Sequence, residues 1–407
     1  MTETKSIDTK RKTQLDNMAN FFQAYANDDK INFQLKTSKK RALLQSLVFT
    51  SCYRKNTRVA YIGDEFPVEI LHALKFSTIN YQTIAGVFSK GKNLRSFFAK
   101  ADSHYISKDI CSNIRGAIGL ALGNCIPTPN IIIGNSSPCV GSSKLSHILY
   151  KMYNCDYFRI DTPIVYDDIS VDYLADQFRE MTEYIAEKYD PSFNENLLKE
   201  RIVYSNEAKQ LYNKVADLCK EHQLPEIQRE LYELIVSNKW GEESMVEICS
   251  LLYEEAIECI KNKKTNKKKR ILWYGPVPVY VDRLLETIGK KVDIIFYTSL
   301  MSANRILLDE NDSYRSLARR ALLHSWDPFM KCNNIIEVCV DYNIDGIILQ
   351  NSWGCRNLNS TNRIVRQCTE KTNVKYLLID SDFVDKDKFS ENQVKNRIDA
   401  FIESINF

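Results

Sequence analysis

The residues best placed to do chemistry are two cysteines in matching local sequences. Ile131-Ile-Ile-Gly-Asn-Ser-Ser-Pro-Cys139 is echoed by Ile347-Ile-Leu-Gln-Asn-Ser-Trp-Gly-Cys355. Each copy is an apolar run, then Asn-Ser, two spacers and a thiol. A lone cysteine is most often inert packing. These two instead follow strand-like runs in polar turns, and Pro138 and Gly354 before them are turn residues. Two thiols from distant parts of one chain suggest a metal centre held between them.

The chain has twelve cysteines, with no CxxC or CxxxC pair. That spacing argues against zinc ribbons, thioredoxin-like sites and ferredoxin-type clusters, so any metal site is assembled from distant segments. Cys111, in Ser107-Lys-Asp-Ile-Cys-Ser-Asn-Ile-Arg115, opens an amphipathic segment with Ser107 or Asp109 as possible caps. A thiol at a helix N-terminus has a lowered pKa and is a better ligand. Spacing alone leaves Cys111 open between ligand and packing. Cys219, Cys249, Cys259 and Cys368 fall on predicted helices and read as packing, whereas Cys125, Cys155, Cys332 and Cys339 stay ambiguous.

Five histidines form no HxxxH or HExxH pattern, which disfavours a zinc hydrolase. Neither GxGxxG nor GxxxxGK[ST] occurs, so neither a Rossmann dinucleotide fingerprint nor a P-loop is expected. Carboxylates gather at predicted strand ends: Asp64, Glu65 and Glu69, then Asp161, Asp380, Asp382 and Asp385. Capping and solvation account for such groups in general. Asp64, Glu65 and Glu69 are the candidates for proton transfer or for orienting a ligand.

The elements that must position these residues repeat as well. Arg58-Val-Ala-Tyr-Ile-Gly63 matches Arg270-Ile-Leu-Trp-Tyr-Gly275, and Tyr157-Phe-Arg-Ile-Asp161 resembles Tyr376-Leu-Leu-Ile-Asp380. Short apolar runs separated by helix-length segments predict parallel sheets covered on both faces. Cysteines just beyond the carboxyl ends of such strands stand where open α/β sheets build ligand sites. Between the repeats, Val171–Lys188, Asn194–Lys220, Leu224–Ser237 and Glu242–Cys259 read as amphipathic helices. The basic run Lys261–Arg270 closes that region as a solvated linker. The expected fold is therefore α/β: two related Rossmann-like (flavodoxin-like) parallel-sheet domains with a helical insertion. Its predicted parts are an N-terminal helical segment (1–55), a first α/β domain (56–168), a helical region (169–265) and a second α/β domain (266–407).

At 407 residues two or three domains are expected. A net charge of +3 with 26% charged and 44% hydrophobic residues gives nucleic-acid binding no support. No apolar stretch approaches the ~20 residues needed to span a bilayer, and the N-terminal residues lack an apolar signal region. A cytoplasmic protein without structural disulfides is expected.

These pieces, in this order, resemble the 2-hydroxyacyl-CoA dehydratase family, which includes benzoyl-CoA reductase subunits. The matches are Phe66-Pro-Val-Glu69, Asp109-Ile-Cys-Ser112, Pro127-Thr-Pro-Asn-Ile-Ile-Ile133 leading to Cys139, and Ile160-Asp-Thr-Pro163. They continue with Asp345-Gly-Ile-Ile348 leading to Gly354-Cys-Arg356, Ile379-Asp-Ser-Asp382 with Asp385, and Phe389-Ser-Glu-Asn-Gln393 through Glu403. The resemblance covers the chain from about residue 58 onward. It implies a [4Fe-4S] cluster on Cys111, Cys139 and Cys355, with one iron left open to water, sulfide or a substrate oxygen.

It also implies a homologous second subunit, as heterodimer or homodimer, an ATP-hydrolysing iron–sulfur activator protein, and an acyl-CoA substrate. In the family's mechanism one electron reaches the thioester carbonyl, and the resulting ketyl radical expels the hydroxyl group. Asn130, where the family often has Asp, and Gln82, near a carboxylate position of some dehydratases, are departures. They leave a benzoyl-CoA-reductase-like or double-cubane reductase subunit, or a non-catalytic electron-relay partner, as alternatives.

Overall fold

The computed structural model describes parts of residues 12–27 and then residues 35–52, 56–63, 66–89, 94–235, 237, 239–262, 267–323, 328–370 and 374–405. The first part runs α1 (Lys36–Ser51), β1 (Arg58–Ile62), α2 (Val68–Ala73), β2 (Phe76–Asn80), α3 (Ile84–Ser89), α4 (Arg95–Asp102), α5 (Ser112–Leu122), β3 (Ile131–Asn135), α6 (Val140–Tyr153) and β4 (Asp156–Ile160). Four long helices follow: α7 (Asp168–Tyr189), α8 (Glu195–Glu221), α9 (Pro225–Ile235) and α10 (Glu243–Asn262). The last part is β5 (Arg270–Tyr274), α11 (Asp282–Gly289), β6 (Asp293–Tyr297), α12 (Ser299–Asn304), α13 (Ser313–Leu322), α14 (Pro328–Asp341), β7 (Gly346–Ser352), α15 (Arg356–Glu370), β8 (Lys375–Ser381) and α16 (Glu391–Ile405).

The strands form two parallel four-stranded sheets, ordered β2-β1-β3-β4 and β6-β5-β7-β8. This is the expected pair of α/β halves. Alternation along the first sheet explains why both of its faces are covered. Ala60, Ile62, Ile131 and Ile133 point into one core, while Val59, Tyr61 and Ile132 point into another. The first of these cores continues through α7–α10 into the second sheet, so the long helices have no separate core.

The repeat is also one of register. Ala60 pairs with Ile131 as Leu272 pairs with Ile347. Counting from either strand, Cys139 and Cys355 fall at equivalent positions. The echo slips by one residue at the fourth strand, where Tyr157 faces Ile132 but Tyr376 faces Ile347. A one-residue slip reverses the faces; Tyr157 shares the core of Ile132, whereas Tyr376 stands level with Ile347, the counterpart of Ile131.

The two arginines that open β1 and β5 tie the halves to the long helices. Arg58 donates to the Tyr189 carbonyl at the end of α7. Arg270 donates to the Lys220 and Cys219 carbonyls near the end of α8, at 2.7 and 3.1 Å, and to Asp293 at 3.1 Å. A cation at a helix C-terminus meets the negative end of its dipole and its unpaired carbonyls.

Candidate metal centre

Three cysteines occupy the same position on three helices. The carbonyls of Cys111, Cys139 and Cys355 accept from the amides of Arg115, Ser143 and Asn359, at 3.0, 3.1 and 3.1 Å. Each cysteine is therefore the residue that opens a helix, α5, α6 or α15. The positive dipole end of each helix therefore lies at its cysteine. The Ser142 amide donates to Cys139 Sγ at 3.3 Å.

The three openings meet. Gly354 has φ +74, and a Cβ built there would lie 2.5 Å from the Cys111 amide nitrogen and 2.4 Å from the Ile110 carbonyl carbon. The turn carrying Cys355 thus presses on the peptide that leads into α5, an approach only glycine permits. Cys111 and Cys355 pack in the same apolar cluster with Ile110, Ile114 and Leu358. A Cβ on Gly141 would lie 3.4 Å from the Ile114 side chain and 3.6 Å from Cys139 Sγ, which sets the Cys139 turn against α5.

Burial pushes the Cys111 thiol up, and the nearby thiols of Cys355 and Cys139 add to the rise. The Ile114 and Asn113 amides oppose it without making a cap bond. The helix start was expected to lower this pKa; instead burial among other sulfurs outweighs the helix end. A metal entering here would have to displace the proton.

Among the described residues, no three His, Cys, Asp or Glu side chains close up around a single metal ion. A tetrahedral thiolate site for one ion needs sulfurs about 3.8 Å apart, whereas the ligand sulfurs of a cubane are roughly 6–7 Å apart. The donor set, three cysteines outside any disulfide at three helix starts, suits a cubane better than a lone cation. A cubane with three thiolates is anionic, which suits three positive helix ends.

Buried polar atoms around the thiols point the same way. Asn113 Oδ1, Ser137 Oγ, Ser352 Oγ and Asp382 Oδ2 are buried without a hydrogen-bond partner. Each lies within three residues of one of the cysteines, except Asp382, which accepts from Ser112 next to Cys111. An unpaired buried polar group costs about 1–3 kcal/mol, a cost that a bound group at this place would relieve.

The predicted carboxylates are placed differently. Asp64 and Glu65 lie outside the described residues. Gly63, just before them, is beside Ser142 in the Cys139 turn, 3.6 Å from its Oγ to a built Cβ. Glu69 is fully buried, with Arg320 donating to its two oxygens at 2.5 and 2.6 Å and Ser205 at 2.8 Å. Burial alone would raise this carboxyl; the Arg320 charge and its hydrogen bonds outweigh burial, Lys209 assists, and the group is held well below the usual range. A carboxylate so held is a poor proton carrier and serves to join α2, α8 and α13. Asp380 accepts from Asn351 at 2.6 Å, and Asp161 from Tyr173 at 3.2 Å.

Asp382 and Asp385 are the acidic pair that reaches α5, the helix Cys111 opens, through Ser112 and through Arg115 at 3.4 Å. Burial raises the Asp382 carboxyl, with Ser112 and two backbone amides opposing. Sequence reasoning had both aspartates but not their partners, which lie 270 residues away.

The family of the 2-hydroxyglutaryl-CoA dehydratase D-component matches residues 65–405, a span that includes all three cysteines. The chain belongs to this family. Comparison with curated proteins finds none that matches. As a member of the D-component family, the chain is a component of a 2-hydroxyacyl-CoA dehydratase. Among the described residues, no helix is long and apolar enough to cross a membrane.

Proposed function

We propose that the chain is the iron–sulfur component of a 2-hydroxyacyl-CoA dehydratase, with Cys111, Cys139 and Cys355 holding one [4Fe-4S] cluster. The observation that carries this reading is the meeting of three cysteines that each open a helix. When bound, such a cluster supplies one-electron chemistry and an iron not tied to the protein. The chain's own residues do the rest. Three helix starts place their positive ends at the cysteines and stabilise negative charge there. Ile110, Ile114 and Leu358 give the Cys111 side an apolar lining, and excluding water there would strengthen each electrostatic contact to a charge developing on the substrate.

Val140, next to Cys139, and Trp353, two residues before Cys355, are exposed and offer apolar surface to an acyl group. Asp64 and Glu65, outside the described residues, remain the carboxylates proposed for proton transfer or for orienting a ligand. Electrons come from an ATP-hydrolysing activator, and a homologous subunit completes the enzyme.

The test is spectroscopic. Anaerobically purified complex is titrated with a 2-hydroxyacyl-CoA while the iron signal is followed by Mössbauer or EPR. The reading expects one iron site to change, and turnover to need ATP and activator. An unchanged signal at saturating acyl-CoA would move the chain to an electron-relay role.

A further inference from the structure

The segment that presents Cys111 belongs to the first half of the chain, yet much of what holds it comes from the second. Gly354 presses on the Ile110–Cys111 peptide. Lys388 Nζ donates to the Lys108 carbonyl at 2.9 Å. Arg115, paired to Asp102 at 2.7 and 2.6 Å, also reaches Asp385 at 3.4 Å. Ser112 Oγ donates to Asp382 Oδ1.

Asp382 is built to be a fixed point. It is fully buried. Its Oδ1 also accepts from the Val384 and Asp385 amides at 3.1 and 2.9 Å, so the carboxyl is clamped by its own turn. Its carbonyl accepts from the Tyr280 hydroxyl, which in turn accepts from its amide at 3.3 Å. The next residue, Phe383, accepts at its carbonyl from the Val279 amide at 3.1 Å. All of these anchors lie in the half that carries Cys355. Asp382 thereby offers α5 a rigid acceptor at the residue after Cys111.

We infer that Asp382 is a positioning residue for Cys111: by holding Ser112, it fixes the first-half thiol against Cys355 of the second half. This inference rests on the reading of Cys111 as a ligand. It concerns geometry present before any metal binds. Losing a buried hydrogen bond to a carboxylate lowers the population in which the two thiols face each other by ~tenfold or more.

The test uses the full-length, metal-free, reduced chain and dibromobimane, which becomes fluorescent on bridging two neighbouring thiols; peptide mapping identifies the Cys111–Cys355 bridge. The wild-type chain should form it readily. Asp382→Ala should slow it ~tenfold, while single alkylation of Cys111 and the circular dichroism spectrum stay near wild type. Ser112→Ala should give the same loss, and the double variant no further loss. Asp382→Asn should restore bridging, because its amide oxygen still accepts from Ser112.

Bridging at the wild-type rate in Asp382→Ala or Ser112→Ala overturns the inference, as does an Asn variant no better than Ala. If Asp382→Ala fails to fold, the Ser112→Ala rate decides. A wild-type chain that bridges as expected but takes up no iron overturns the cluster reading alone.

Discussion

Gly354 lies against the Cys111 amide, so the residue before one candidate ligand is in contact with the backbone of another. Its φ of +74 is a left-handed conformation, and a Cβ would meet backbone at 2.4 Å. Gly354→Ala is therefore expected to cost at least about 1–3 kcal/mol from backbone strain, and to push α5 away from α15. Denaturant unfolding checks the first effect. Iron uptake checks the second, and full uptake in this variant would show that the two turns need not touch.

The Glu69–Arg320 pair joins the halves through α8, and removing one partner leaves a buried charge. Glu69→Gln should destabilise by about 3–5 kcal/mol. Folding depresses the Glu69 pKa, so its stabilising contribution is complete above the usual carboxylate range and is lost as pH falls toward the native value. The difference between wild type and Glu69→Gln should accordingly shrink as pH is lowered below about 4.5. A pH-independent difference would mean that the pair's charge contributes nothing.

Cysteines outside the meeting point should be dispensable for metal. Cys249 is buried on α10, and burial pushes its thiol up to about 12. Cys249→Ala should lose roughly 0.5–3 kcal/mol of stability and keep its iron. Loss of iron with intact folding would place a ligand the geometry does not show.

Sequence reasoning read the halves well because a buried parallel strand leaves a strong local trace. Ile131 and Ile347, with the Asn-Ser turns behind them, placed Cys139 and Cys355 at equivalent strand ends, and the shared pairing with Ala60 and Leu272 agrees. The register of β4 and β8 was not legible, since the matching residues Tyr157 and Tyr376 pair one position apart relative to the neighbouring strand. Cys111 was ambiguous because its place depends on Gly354 and Asp382, more than 240 residues away. The same distance hid Arg320, and with it the ion pair that occupies Glu69.

The central claim is that Cys111, Cys139 and Cys355 together hold one cluster. The most direct test is iron and sulfide quantification after anaerobic reconstitution of wild type and of Cys111→Ala, Cys139→Ala and Cys355→Ala, with folding checked by circular dichroism. About four irons and four sulfides per wild-type chain are expected, with loss of the brown chromophore in each folded variant. A folded Cys355→Ala chain that retains the full complement of iron would contradict the claim.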